Sequence, residues 1–205
     1  MYLVKTPFWL RWLYPQLVWR RSIASKTIYI TFDDGPIPEV TPFVLDTLAM
    51  YNAKATFFCI GDNVRKYPEI FERIKAEGHS VGNHTFNHLK GWATEDDLYL
   101  QNFRLCDDLI NTHLFRPPYG RIKRSQIRKL KSEFPELDII MWDVLSGDFD
   151  VNLSPEKCLR NVLSTTSDGS IVVFHDSLKA FERLRFVLPL ALKYWKEQGF
   201  AISQL

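Results

Sequence analysis

Short runs rich in β-branched and aromatic residues recur along the chain at 27–32, 55–60, 79–82, 114–116, 138–144, 170–174 and 200–203. Runs of this length and composition predict strands. Between them, 42–51, 63–76, 95–111, 125–134, 155–165 and 181–197 place apolar residues three and four apart, the spacing of a helix with one buried face. The helix over 63–76 has a stop signal, Gly78, just beyond its end. Seven strands alternating with six helices predict parallel strands covered by helices, in a single α/β domain with no low-complexity linker. Acids and histidines stand just past the ends of at least four strands. Barrels and open α/β sheets both build active sites at that end, and this clustering favours a barrel.

Composition narrows the class. The 205 residues, 46% hydrophobic and 24% charged, suffice for one ordinary core and exclude both a disordered chain and a multi-span membrane protein. Cys59, Cys106 and Cys158 are odd in number and contain no CxxC pair, so neither a disulfide framework nor a cysteine zinc site is expected. The net charge of +2 is unevenly spread. Residues 1–26 hold five basic side chains and no acid, and without those five the rest has 21 basic against 24 acidic residues. A mildly acidic body is a poor nucleic-acid partner. The longest apolar stretch near the start, Phe8-Trp9-Leu10, is too short for a secretory leader or a spanning helix. A cytoplasmic or peripherally membrane-associated protein is therefore expected.

Five segments carry chemistry. In Thr31-Phe32-Asp33-Asp34-Gly35-Pro36 two adjacent carboxylates sit on a tight turn after a strand, an arrangement that calls for a shared cation or proton. Alone, the segment reads equally well as a surface Asp-Gly turn. The phosphotransferase pattern of alternating aspartates is not matched. His84 and His88 are four apart, a spacing that on one helical turn lets two imidazoles chelate one metal, although the Glu of the metalloprotease helix is missing. Three of the five histidines fall within 79–88. One Asp with two His would leave a coordination position open for water, as catalytic zinc sites do. Arg116, before Pro117-Pro118-Tyr119-Gly120, is placed to orient a carboxylate. Asp143 and Asp148 follow another strand among Trp142 and Phe149, and Ile171-Val172-Val173-Phe174 ends in His175, a candidate general acid.

In order and spacing, TFDDGP, HTFNH, RPPYG and IVVFHD resemble the signature segments of the polysaccharide deacetylases, carbohydrate esterase family 4, over nearly the whole chain from residue 26 to 204. The resemblance implies a distorted (β/α)7 barrel, like a TIM barrel with one unit fewer. It also implies a divalent metal, usually zinc and sometimes cobalt, on Asp34, His84 and His88. By the same likeness Asp33 is the general base, held by Arg116; His175 is the general acid; and the Tyr119 backbone N–H helps hold the oxyanion. The implied substrate is an N-acetylated amino sugar in peptidoglycan, a chitin-like oligomer or another glycan. A lipid-linked formyl- or acetyl-amino sugar, another amide, or a non-catalytic carbohydrate-binding relative are the alternatives.

The fourth segment departs from the family's pattern of acid, two variable residues, acid and Trp. Here Leu145 and Phe149 stand where the first acid and the Trp are usual, while Asp148 keeps the second acid and is expected to support Arg116 or His175. Asp143, in a different register, is the candidate substitute for the missing acid. Val173 replaces a common Leu in the wall facing the acetyl group. Residues 26–205 are thus expected to form the catalytic domain. Residues 1–25, with Tyr2, Phe8, Trp9, Trp12, Tyr14 and Trp19 among basic side chains, form an arm outside the resemblance. That arm is expected either to lie in a membrane interface or to pack on and close the barrel.

Overall fold

The computed structural model describes residues 2–21 and 26–205. A curled sheet of parallel strands has the order β5-β4-β3-β2-β1-β7-β6, made of β1 (Thr27–Asp33), β2 (Thr56–Cys59), β3 (Ser80–Asn83), β4 (Leu114–Phe115), β5 (Asp138–Ile139), β6 (Val144–Leu145) and β7 (Ile171–His175). A last strand, β8 (Ala201–Ser203), pairs with the start of β1. The helices are α1 (Phe8–Leu13), α2 (Thr41–Met50), α3 (Gly61–Lys66), α4 (Pro68–Ala76), α5 (Asp96–Ile110), α6 (Arg124–Glu133), α7 (Pro155–Thr165) and α8 (Phe181–Glu197).

β1 lies at the centre and is buried along almost its whole length, as expected of a parallel strand covered on both faces. Phe32 stacks between Phe57 and Phe174 from its two neighbours, with ring centroids 5.1 and 5.9 Å away. The register places Asp33 of β1 opposite His175 of β7. The β-to-α order therefore delivers both residues to one end of the sheet.

Two predicted elements are divided. The helix expected over 63–76 is α3 and α4, separated at Tyr67, because Pro68 has no N–H to continue the ladder and excludes Tyr67 from helical geometry. The strand expected over 138–144 is β5 and β6, which occupy opposite ends of the strand order. Four residues join them, so the curl brings the two edges of the sheet close together. In this crossing the Ile140 and Met141 carbonyls turn toward the Arg116 guanidinium instead of a neighbouring strand. Cys59, Cys106 and Cys158 are all free and buried.

Residues 4–21 cover this seam. Leu145 N–H donates to Val4 O and Thr6 N–H to Asp143 O, extending the β6 edge by an antiparallel bridge. Val18 N–H donates to Ile139 O while Met141 N–H donates to Val18 O, which covers the β5 edge. Unpaired strand edges are thereby satisfied. Asp143 anchors the same segment. Its fully buried carboxylate meets Lys5 Nζ at 2.6 Å, Arg11 Nη2 at 3.2 Å and Arg20 Nη1 at 3.4 Å, and accepts the Ser170 hydroxyl. The idea that Asp143 replaces the missing acid of the site is corrected: its carboxylate is held by the N-terminal segment.

Candidate active site

A cavity of about 870 Å³ opens at the C-terminal ends of the strands, and Asp33, Asp34, His84, His88 and His175 all line it. Asp33 is the last residue of β1 and is 4% exposed. Arg116, immediately after β4 and fully buried, donates from Nη1 to Asp33 Oδ1 at 2.7 Å and to Thr31 Oγ1 at 2.6 Å. Its Nη2 donates to Met141 O at 3.0 Å, and its guanidinium lies 4.1 Å from the Phe58 ring centroid. Burial lowers the Arg116 pKa while the Asp33 carboxylate opposes that shift. The fork of donors fixes the Asp33 carboxylate in one orientation.

Asp34 follows with φ +86°, the left-handed region that non-glycine residues rarely adopt. His88 and Tyr119 share this conformation, with φ +57° and +60°. Backbone strain of this kind, of order 1–3 kcal/mol per residue, persists where surrounding structure holds it, here around the cavity. His84 and His88 lie in a loop after β3, so the expectation of one helical turn is corrected. Thr85, also at positive φ (+60°), turns the loop between them, and their rings stand 5.0 Å apart.

These three side chains form a donor set. Asp34, His84 and His88 each offer a ligand atom, all within 4.8 Å of one another. His84 Nδ1 is 2.7 Å from the Arg116 carbonyl, which can only accept, so Nδ1 carries the proton and the Nε2 lone pair faces Asp34 at 3.8 Å. Burial holds the His84 pKa down, at about 4, which keeps the ring neutral. Asp34 Oδ1, 3.2 Å from His88 Nε2, is buried and accepts no hydrogen bond of good geometry. Burial raises the Asp34 pKa, but the surrounding histidines, His88 first, more than offset this and hold the carboxyl well below its usual range. An ionised carboxylate, a neutral imidazole with its lone pair exposed and an orphaned oxygen fit a divalent cation.

His175 faces this set. Its Nδ1 is 2.8 Å from Asp148 Oδ1, and its backbone N–H donates to Asp148 Oδ2 at 2.8 Å. Asp148 thus supports His175; no contact joins it to Arg116 among the described residues. Burial would lower the His175 pKa, but Asp148, then Asp34 and Asp33, push it up to about 9. Phe149 packs its ring 5.1 Å from His175 and 5.0 Å from Tyr2, and Val173 lines the cavity floor beside Leu145. The Tyr119 ring lies tilted against His88, with centroids 4.6 Å apart, and is more than half exposed.

Other residues matter that the motif reading passed over. Asp176, one residue beyond His175, accepts the Gly35 N–H at 2.9 Å and lies 2.6 Å from Thr41 Oγ1. Burial pushes its pKa up to about 8. It props the turn after Asp34, and its adjacency to His175 in sequence was the available signal. Thr31, which shares the Arg116 fork, stands two residues before Asp33 in the same motif. His79 lies at the opposite end of β3, accepting the Ala55 N–H, and takes no part in the site.

Residues 20–133 match the family model described as Polysaccharide deacetylase. The chain is 35% identical over 156 residues to a peptidoglycan-N-acetylglucosamine deacetylase of Bacillus cereus, covering 73% of this chain and 56%, about half, of that protein. It is 33% identical to a chitooligosaccharide deacetylase of Azorhizobium caulinodans, covering 88% of this chain and 93% of that protein. A crystal structure of a peptidoglycan N-acetylglucosamine deacetylase superposes with TM-score 0.89 at 29% identity, over 98% of this chain and 95% of that one. The match from residue 20, the site at the strand ends and the shared distorted barrel have one consequence: the chain belongs to the polysaccharide deacetylase family.

Proposed function

We propose that the protein is a metal-dependent hydrolase that removes the N-acetyl group from an N-acetylated amino sugar in a glycan, with peptidoglycan and chitin-like oligomers as the substrate classes. The observation that carries this reading is the convergence of three functional groupings on one cavity: the Asp34, His84 and His88 donor set, Asp33 gripped by Arg116, and His175 gripped by Asp148.

Asp34, His84 and His88 would hold the ion, zinc by preference and cobalt as an alternative, since one carboxylate and two imidazoles suit either. When bound, it supplies Lewis acidity toward water and toward the amide carbonyl oxygen. Asp33 takes a proton from water as the water oxygen bonds to the acyl carbon. The oxyanion that develops there is met by the Tyr119 backbone N–H. His175 gives its Nε2 proton to the amide nitrogen as the carbon–nitrogen bond breaks, releasing acetate and a free amino sugar. The two adjacent aspartates divide the work: Asp34 stays ionised as a ligand while Asp33 gains and loses a proton. Phe149 and Val173 wall the space for the sugar and the acetyl methyl. Intact Asp33 and His175, each with its orienting partner, argue against a binding-only relative.

Acetate release from N-acetylglucosamine oligomers tests the reading. A chelator should abolish release, added zinc or cobalt should restore it, and Asp33→Asn should lower kcat by about 10²–10⁴. Chelator-insensitive release, or an unimpaired Asp33→Asn enzyme, would refute it.

A further inference from the structure

The segment that seals the seam also carries an outward apolar face. No residue of α1 is buried. Phe8, Trp9, Trp12 and Leu13 are 65%, 49%, 78% and 53% exposed, although hydrogen bonds on both sides of the helix tie the segment to the barrel. The remaining apolar residue of the helix, Leu10, lines the active-site cavity together with Pro7.

A basic strip adjoins this face. A shallow groove is lined by Leu13 and Gln16 on one side and by Arg124, Arg128 and Lys131 of α6 on the other. Arg124 lies over the Tyr14 ring at 5.3 Å, and Arg128 and Lys131 form no ion pair among the described residues. Residues 2–21 contain no acid.

We propose that the outer face of α1, with the Arg124, Arg128 and Lys131 strip beside it, docks on an anionic lipid bilayer. Trp and Phe side chains settle at the boundary between headgroups and acyl chains, and nearby Lys and Arg meet anionic headgroups. The charge of the strip selects this occupant. A second copy of the chain fits less well, because a six-residue helix is only about 9 Å long, whereas a stable interface buries roughly 800 Å² per partner. Since Leu10 faces the cavity and its neighbours face outward, docking sets the active-site opening beside the membrane surface. The binding itself does not depend on the catalytic reading.

Co-sedimentation of the full chain with vesicles tests the proposal, comparing phosphatidylglycerol–phosphatidylcholine mixtures with phosphatidylcholine alone. The wild type should bind the anionic vesicles and lose them as salt is raised. Trp9→Ser/Trp12→Ser and Arg128→Glu/Lys131→Glu should each weaken binding at least about tenfold. Trp9, Trp12 and Arg128 are exposed and Lys131 is half-buried beside the groove, so circular dichroism melts should stay close to those of the wild type. Absence of wild-type binding, or equal binding by wild type and both variants, overturns the proposal. So does a concentration-dependent dimer that the Trp variant abolishes without any vesicle binding, which would assign the face to a second copy.

Discussion

Asp148 holds His175 twice, through the ring Nδ1 and through the backbone N–H, each at 2.8 Å. One carboxylate therefore fixes both where the imidazole sits and which nitrogen points at the cavity. It also raises the proton affinity of the ring against the effect of burial.

The first prediction concerns that proton. In NMR titrations of metal-free protein, His175 should titrate near pH 9. Asp148→Asn should bring it down toward the ordinary value of ~6.5, because burial is then opposed only by Asp34 and Asp33. If His175 is the general acid, activity needs its protonated form, so the alkaline limb of kcat/KM should move to lower pH in the variant. An unmoved titration would show that Asp148 does not set the His175 pKa.

Arg116 offers a second test. Its Nη1 and Nη2 serve Asp33, Thr31 and Met141, a set that one ammonium group cannot reproduce. Arg116→Lys should fold yet lose on the order of 10² in kcat/KM. Arg116→Ala, which leaves Asp33 buried without its partner, should be destabilised by about 3–5 kcal/mol in urea melts.

Gly35 is required by proximity. A Cβ there would stand 1.9 Å from Asp176 Oδ2 and 2.5 Å from its Cγ. Gly35→Ala should be destabilised by about 2–4 kcal/mol from overpacking and displacement of a buried carboxyl. In a double-mutant cycle with Asp176→Ala, which makes room for the methyl, the coupling should exceed about 1 kcal/mol. Additive effects would mean that the two residues do not compete for that space.

Asp143 governs the N-terminal segment. Asp143→Ala leaves Lys5, Arg11 and Arg20 without their common carboxylate. It should cost about 2–4 kcal/mol. Trypsin should then cut after those residues under conditions where the wild type resists, because the segment opens locally.

Most of the site was legible because its residues sit in four short motifs at strand ends, where identity and position together limit the chemistry. Asp34, His84, His88 and His175 could be placed from the sequence without knowing the curl of the sheet. The geometry between His84 and His88 could not, since spacing alone suggests a helical turn and only the positive φ of Thr85 and His88 shows the loop. Asp143 and Asp148 lie five residues apart in one segment, yet one binds the N-terminal segment and the other binds His175. That distinction depends on where the chain crosses from β5 to β6. The split at Tyr67 was readable from Pro68, a signal outweighed by the apolar periodicity on both sides. Packing of the N-terminal segment on the barrel was among the expectations, but its pairing partners were not legible, because single bridges at Val4–Thr6 and Val18 have no periodic signature.

The seam also constrains the order in which the chain can fold. Lys5 meets Asp143 across 138 positions, and Arg20 meets Ser167 across 147. During synthesis, residues 4–21 are made long before either partner exists, so Leu17 and Trp19, which are buried in the fold, stay unprotected until more than half of the sequence has followed. Contacts of such separation form slowly, and exposed apolar segments invite self-association meanwhile. The like charges of Lys5, Arg11 and Arg20, later drawn to one buried carboxylate, repel other copies of the segment until that carboxylate is in place.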